Sequence, residues 1–187
     1  NHKKIKNVSI SGDVRHTTER LKNNLVKGLN KVGINVFDMG ILPTPVNYFS
    51  LFTTPVVCSI QVTGSHNPSE YNGFKLSLNK KPFYGSEIQK LKNIIINKSF
   101  FISKTVGEYS EVNVMNKYID YILDNINLNK KMKIAMDCGN AVGGVVAPTI
   151  FNKIGVDLKE LYCDVDPDFP NHHPDPTVDK NLVDLCK

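Results

Sequence analysis

Between residues 4 and 62, short β-rich apolar runs alternate with amphipathic stretches, and this alternation narrows the possible folds more than any other feature of the chain. Ile5, Val8 and Ile10 mark a strand over 4–11. Leu21, Leu25, Leu29 and Val32 recur at helical spacing over 18–32, with Thr17 placed to cap the start and Gly33 just past the end. A strand over 34–39, a short helix over 46–51 opened by Thr44-Pro45, and a strand over 56–62 follow. Strand, helix, strand, helix, strand predicts a mostly parallel sheet with right-handed crossovers. Residues 74–78 then alternate as a strand, and Ile88, Leu91 and Ile95 place a helix over 86–95. The pattern lapses from 97 to 110. It resumes with helices over 114–126 and 147–154, strands over 132–136 and 158–162, and a last helix over 179–186. The expected fold is α/β: a mixed, mostly parallel sheet flanked by helices over 1–109, then part of a second, similar α/β domain over 110–187.

Composition removes several classes of function. With 41% hydrophobic and 22% charged residues in 187, the chain is ordinary globular material. No apolar run approaches the roughly 20 residues of a membrane helix, and no signal segment opens the chain, so a soluble, cytoplasmic protein is expected. Four scattered cysteines without a Cys-x-x-Cys pair argue against metal and redox motifs, and Cys58 and Cys138 read as buried, reduced thiols. The net charge of +5 conceals an uneven distribution, cationic before residue 106 and acidic after it. A cationic first portion suits an anionic small molecule. Nucleic acid is not expected, because the lysines are dispersed without interleaved aromatics; Lys22, Lys27 and Lys31 read as the polar side of a helix.

The chemistry concentrates in residues 63–75, Thr-Gly-Ser-His-Asn-Pro-Ser-Glu-Tyr-Asn-Gly-Phe-Lys. An apolar strand delivers the chain to this loop, so Ser65 should stand just beyond a strand's carboxyl end, where open α/β sheets place ligands. Asn67-Pro68 forces a stiff turn. No nucleophile elbow or acid–His–Ser order suggests a hydrolase, whereas a phosphoserine beside His66 and Lys75 would find hydrogen-bonding and cationic partners. On residue types alone, a plain Ser/Asn/Pro/Gly surface turn explains the loop equally well. Lys75 is either a phosphate partner or an exposed strand lysine. Arg15 either stabilises anionic groups or holds its loop through Asp13 or a neighbour.

Two other segments invite functional readings and support them less well. Residues 137–144, Asp-Cys-Gly-Asn-Ala-Val-Gly-Gly, lack the dinucleotide and P-loop spacings and read as a tight strand-to-helix turn. His172-His173 with Asp175 suggests a metal, but adjacent histidines point apart and no further ligands accompany them.

Thr-Gly-Ser-His-Asn-Pro at 63–68 with Tyr-Asn-Gly-Phe-Lys at 71–75 closely resembles the active-site serine loop of the α-D-phosphohexomutases, in their phosphomannomutase/phosphoglucomutase branch. Gly12-Asp13-Val14-Arg15, the Gly-Ile-Leu-Pro-Thr-Pro-Val run at 40–46, Asp137-Cys138-Gly139-Asn140 and the Phe-Pro-Asn-His-His-Pro-Asp-Pro run at 169–176 follow the family's order. Ala141 departs from the family's usual glycine. The sister phosphoglucosamine mutase branch resembles the loop less well, since it usually has Ser-Ala before the serine and Ile after the glycine. The resemblance implies a mutase that exchanges hexose 1- and 6-phosphates through phospho-Ser65 and a hexose 1,6-bisphosphate. Lys75 would stabilise the phosphate and take part in proton transfer, His66, Asn72 and Arg15 would orient or bind phosphate, and Ser65 would contact Mg²⁺ through its phosphate. The family's Asp-Gly-Asp-Gly-Asp metal loop does not occur in this sequence. The chain thus resembles a first domain and the opening half of a second, and is expected to be inactive alone; the alternative is a non-catalytic fragment that keeps the fold and binds phosphate or a partner chain.

Overall fold

The structure, a computed structural model, describes residues 5–187. Lys4, where the first strand is expected to start, lies outside the described residues. Strands β1 (Asn7–Gly12), β2 (Asn35–Ile41) and β3 (Cys58–Val62) alternate with helices α1 (Thr18–Lys31) and α2 (Thr44–Thr53). Strands β4 (Phe74–Leu78) and β5 (Lys81–Phe83) follow, then helix α3 (Ser86–Ile96) and strand β6 (Tyr109–Glu111). These six strands form one sheet in the order β5-β4-β3-β1-β2-β6. β1 pairs parallel with β2 and β3, and β6 parallel with β2. β4 and β5 turn back antiparallel at the other edge. β6, which the expected division after residue 109 would cut, pairs with β2 as an edge strand of this sheet. β5 and β6 have three residues each, too few for an alternating pattern to be visible.

β1 occupies the centre of the sheet and is buried from Val8 to Gly12. One face carries Val8 and Ile10, which meet Val36, Ile60 and the α1 residues Leu25, Val26 and Leu29. The other face is buried yet polar. Ser9 pairs with Ser50 at 2.7 Å, the Asn47 amide donates to Ser11 at 2.6 Å and to the Ile60 carbonyl at 3.2 Å, and Gln61 donates to the Leu42 carbonyl at 2.9 Å. These small side chains let α2 approach closely, and the mutual hydrogen bonds offset the cost of removing them from water.

Two local expectations on α1 are corrected. Thr17 makes no capping bond; the Asp13 carboxylate instead takes the Arg15 N–H and the Thr18 hydroxyl at the helix entrance. Lys22 is buried rather than on a solvated face, because its ammonium lies 2.7 Å from Asp38 on β2. A charge beneath a helix is tolerable when it is paired in this way.

The second unit contains α4 (Met115–Asn125), β7 (Lys133–Asp137), α5 (Ala147–Ile154) and β8 (Asp157–Leu161), with β7 and β8 parallel. Met115 and Tyr118 of α4 pack against Met39, Leu42 and Val46 of the first unit and also against Ile119, Val146 and Ile150 of the second. One helix thus joins both cores. Gly155 ends α5 at φ +86°, the left-handed conformation that favours glycine. The last expected helix, 179–186, reduces to a 3-10 turn over Asp179–Leu182. Asn181 closes this turn through its backbone N–H on the Val178 carbonyl and its amide on the Asp175 carbonyl. No helix among the described residues is long and apolar enough to cross a membrane.

Candidate active site

The loop between β3 and β4 spans residues 63–73 and is closed at its base by the Thr63 N–H on the Gly73 carbonyl, 3.0 Å. Inside it, Asn67 N–H bonds the Gly64 carbonyl and Tyr71 N–H the Pro68 carbonyl, each at 3.0 Å. Ser65 stands exposed at the tip with φ +55°, a left-handed conformation uncommon for a residue with a Cβ. Such a geometry persists where its surroundings over-determine it.

Here the surroundings are Asp13 and Arg15, both buried. Asp13 accepts five hydrogen bonds: Arg15 N–H, Thr18 hydroxyl, Arg15 Nε, Thr63 hydroxyl and Gly64 N–H. Thr63, in turn, accepts the Ser65 N–H at 2.9 Å, so the Ser65 amide is tied back to Asp13 through one hydroxyl. The Arg15 guanidinium spends its remaining donors on loop carbonyls: Ser65 at 3.0 Å, Asn67 at 2.6 Å, Tyr71 at 2.9 Å, and Pro68. A Cβ at Gly64 would stand 2.5 Å from Arg15 Cζ and 2.6 Å from the Tyr71 carbonyl oxygen, so this position requires glycine. Of the two roles open to Arg15 in the sequence, loop-holding is the one the structure shows. Its side chain is 1% exposed, and its guanidinium donors are all engaged by Asp13 and the loop carbonyls.

Asn72 is likewise engaged within the protein. Its amide N–H₂ donates to the Thr17 and Thr18 hydroxyls at 3.0 Å each, and its carbonyl accepts the Gly73 N–H at 2.9 Å. It joins the loop to α1 and has no free donor for a phosphate.

Lys75 and His66 lie with Ser65 along one cavity. Lys75, on β4, extends its ammonium to 3.2 Å from Ser65 Oγ. His66 lines the same cavity, donates Nδ1–H to the Pro174 carbonyl at 2.8 Å, and leaves Nε2 without a hydrogen-bond partner among the described residues. The cavity, about 590 Å³, lies between the two units and is bounded by Ser65, His66 and Lys75 on one side and by Asp137, Cys138 and His172 on the other. A small, concave space with convergent polar groups is the usual form of a substrate site.

The far wall is built from the two segments that looked like metal or phosphate motifs. His172 donates to the Asp137 carboxylate and the His173 carbonyl, 2.8 and 2.9 Å away. Burial opposes its charge, but the His173 carbonyl and the Asp137 carboxylate outweigh that and raise its pKa above the ordinary 6.5. Cys138 and Cys163 lie with sulfurs 3.3 Å apart at the ends of β7 and β8, a proximity invisible in their 25-residue separation. Burial, then the neighbouring thiol, push Cys138 up to about 12. Among the described residues, no group of three or more His, Cys, Asp or Glu could hold a metal. Asp13, the carboxylate that accepts from Thr63 and Gly64 of the loop, has both oxygens filled by donors. The set around Ser65 therefore does not fit a magnesium ion by itself.

Sequence reasoning passed over Asp13 as the hub, Thr63 as the relay to the Ser65 amide, and His173. The first was legible in principle: an aspartate two residues before the arginine whose N–H it accepts is a common Asx turn.

Comparison with known proteins agrees with this geometry. Residues 1–101 match the family model for phosphoglucomutase/phosphomannomutase, alpha/beta/alpha domain I, and residues 116–187 that for domain II. The chain is 38% identical to a phosphoglucomutase of Neisseria meningitidis over 98% of its own length and 40% of the relative's. It is 38% identical to a phosphomannomutase/phosphoglucomutase of Pseudomonas aeruginosa over 95% of its own length and 38% of the relative's. A phosphoglucosamine mutase of Methanococcus aeolicus is 35% identical over 96% of this chain. The crystal structure of a phosphoglucomutase/phosphomannomutase family protein from Burkholderia thailandensis superposes with a TM-score of 0.91 at 38% identity, covering 96% of this chain and 41% of that one. The chain thus spans about 40% of the length of the relatives it matches. With the domain I model matched over 1–101, the serine loop included, and the domain II model over 116–187, the chain belongs to the phosphoglucomutase/phosphomannomutase family.

Proposed function

We propose that this chain is the phosphoryl-carrying part of a phosphohexomutase that interconverts hexose 1-phosphate and hexose 6-phosphate, of glucose, mannose or both. Phospho-Ser65 gives its phosphoryl group to the O6 hydroxyl of a hexose 1-phosphate: the O6–P bond forms, the Oγ–P bond breaks, and the proton lost from O6 is balanced by one gained at Oγ. The hexose 1,6-bisphosphate then turns over and returns its other phosphoryl group to Oγ, leaving the 6-phosphate. Lys75 supplies the cation beside Oγ and moves the proton; His66 offers Nε2 to the phosphate or the sugar. Phosphoryl transfer depends mainly on placement and charge, and the loop supplies both.

The observation that carries this reading is the 3.2 Å approach of the Lys75 ammonium to Ser65 Oγ at the exposed tip of an otherwise immobilised loop. Magnesium would neutralise charge developing on the phosphoryl oxygens, and Ser65 would touch it through its phosphate. Hexose 1,6-bisphosphate would serve as activator by rephosphorylating Ser65. The setting we propose is the cytoplasm, and the partner a phosphosugar rather than a nucleic acid.

The test is a coupled assay for hexose 6-phosphate on the complete polypeptide that carries this sequence. Ser65→Ala should lower kcat by at least about 10³-fold, the order found for removing a covalent nucleophile. Undiminished turnover would overturn the reading. The 187-residue chain alone should show no turnover above background.

A further inference from the structure

The Phe-Pro-Asn-His-His-Pro-Asp-Pro segment at 169–176 takes no part in the chemistry proposed above, yet it folds back onto the residue next to Ser65. His173 donates Nε2–H to the His66 carbonyl at 2.7 Å, and His66 donates Nδ1–H to the Pro174 carbonyl at 2.8 Å. Carbonyls only accept, so each bond fixes which ring nitrogen carries the proton. The two bonds run in opposite directions between neighbouring residues and clasp the serine loop of the first unit to the second.

The clasp completes a pattern. Arg15 binds the carbonyls of Ser65, Asn67 and Pro68, and omits that of His66 between them. His173 takes that one. The two peptide groups that flank His66, directly after the left-handed Ser65, are thereby held from two units, one by a buried guanidinium and the other by an imidazole. The imidazole's own position is fixed in turn. The His173 carbonyl accepts from His172 Nδ1 at 2.9 Å and from the Asp175 N–H at 2.8 Å, and His172 is anchored on Asp137.

We propose that His173 is a positioning residue for phosphoryl transfer: by holding the His66 carbonyl it fixes the direction in which Ser65 Oγ and His66 Nε2 face the cavity. It touches neither Oγ nor phosphate. Its effect is therefore on the rate of transfer, with little on the binding of the sugar, because a small displacement of the nucleophile costs rate steeply. The proposal rests on the reading of Ser65 as the phosphoryl carrier.

Two substitutions separate positioning from bulk. His173→Leu keeps much of the volume and removes the donor; His173→Gln places an amide N–H where Nε2 was. In the 187-residue chain, hydrogen exchange at the amides of residues 65–67 should quicken about tenfold in the Leu variant and return close to the original rate in the Gln variant, the scale of one hydrogen bond. Exchange in β1 and β3 should not change in either. In the complete polypeptide, the Leu variant should lose about tenfold in kcat with KM for hexose 1-phosphate within about twofold, and Gln should recover most of the loss. Unchanged exchange in the Leu variant overturns the clasp. Equal loss with Leu and Gln, or faster exchange with unaltered kcat, overturns the positioning role. Activity retained by Ser65→Ala would instead remove the underlying reading, while the exchange measurement would still decide whether the clasp exists.

Discussion

The serine loop and the arm formed by α3 and residues 97–102 both extend from the antiparallel edge of the first sheet, and they are held in opposite ways. The loop has no regular secondary structure, yet five of its carbonyls, at residues 65 to 68 and 71, are bound by Arg15 or His173. The arm begins as a regular helix with every backbone bond of its interior made, yet α3 has no buried residue, and Leu91, Ile94, Ile95, Ile96, Phe100, Phe101 and Ile102 all face solvent. Regularity and rigidity are separate properties. A segment is fixed by the partners its polar groups and apolar area find, and an isolated helix of this length is marginal without them.

The sharpest way to break this contrast is at Arg15. Arg15→Leu leaves Asp13 as an uncompensated buried charge and frees four carbonyls, so urea unfolding should show a loss of about 3–5 kcal/mol. Arg15→Lys should recover only part of it, since an ammonium cannot serve Asp13 and four separate carbonyls with planar geometry. Next in size is Gly64→Ala, whose Cβ would press on Arg15 and on the Tyr71 carbonyl. Overpacking of this kind costs about 1–3 kcal/mol by the same measurement, and the displaced Ser65 should lower turnover as well.

A smaller effect belongs to the clasp's support. Because the pKa of His172 is raised in the fold, its contribution to stability is complete below its ordinary value of 6.5 and is lost as pH rises through the raised value. The urea midpoint should therefore fall as pH increases through that window, and His172→Gln should flatten the dependence. The smallest effect is expected in the arm, where Ile95→Lys should change stability by no more than about 0.5 kcal/mol. A large loss there would mean that the arm is anchored after all.

The elements most legible in the sequence were those fixed by their own periodicity and end signals. β4 was expected over 74–78 and α5 over 147–154 with Gly155 beyond, and both were found there. The serine loop was legible as a motif, and Lys75 beside Ser65 followed from it. What the sequence could not disclose were partners distant along the chain. Lys22 falls on what looks like the polar side of α1 until Asp38 is brought beneath it. Arg15 and Asn72 carry phosphate-binding side chains, but tertiary structure turns both inward onto carbonyls and hydroxyls. His66 and Pro174 are 108 residues apart, and nothing local in either announces their hydrogen bond.

The central claim is that the hydroxyl at position 65 carries the phosphoryl group. Its most direct test is to treat the complete polypeptide with hexose 1,6-bisphosphate and map the acquired phosphate by peptide mass spectrometry. A single phosphoryl group on Ser65, transferable to added hexose 1-phosphate, is the expected result. Phosphate on another residue, or an active protein that never acquires it, would contradict the claim.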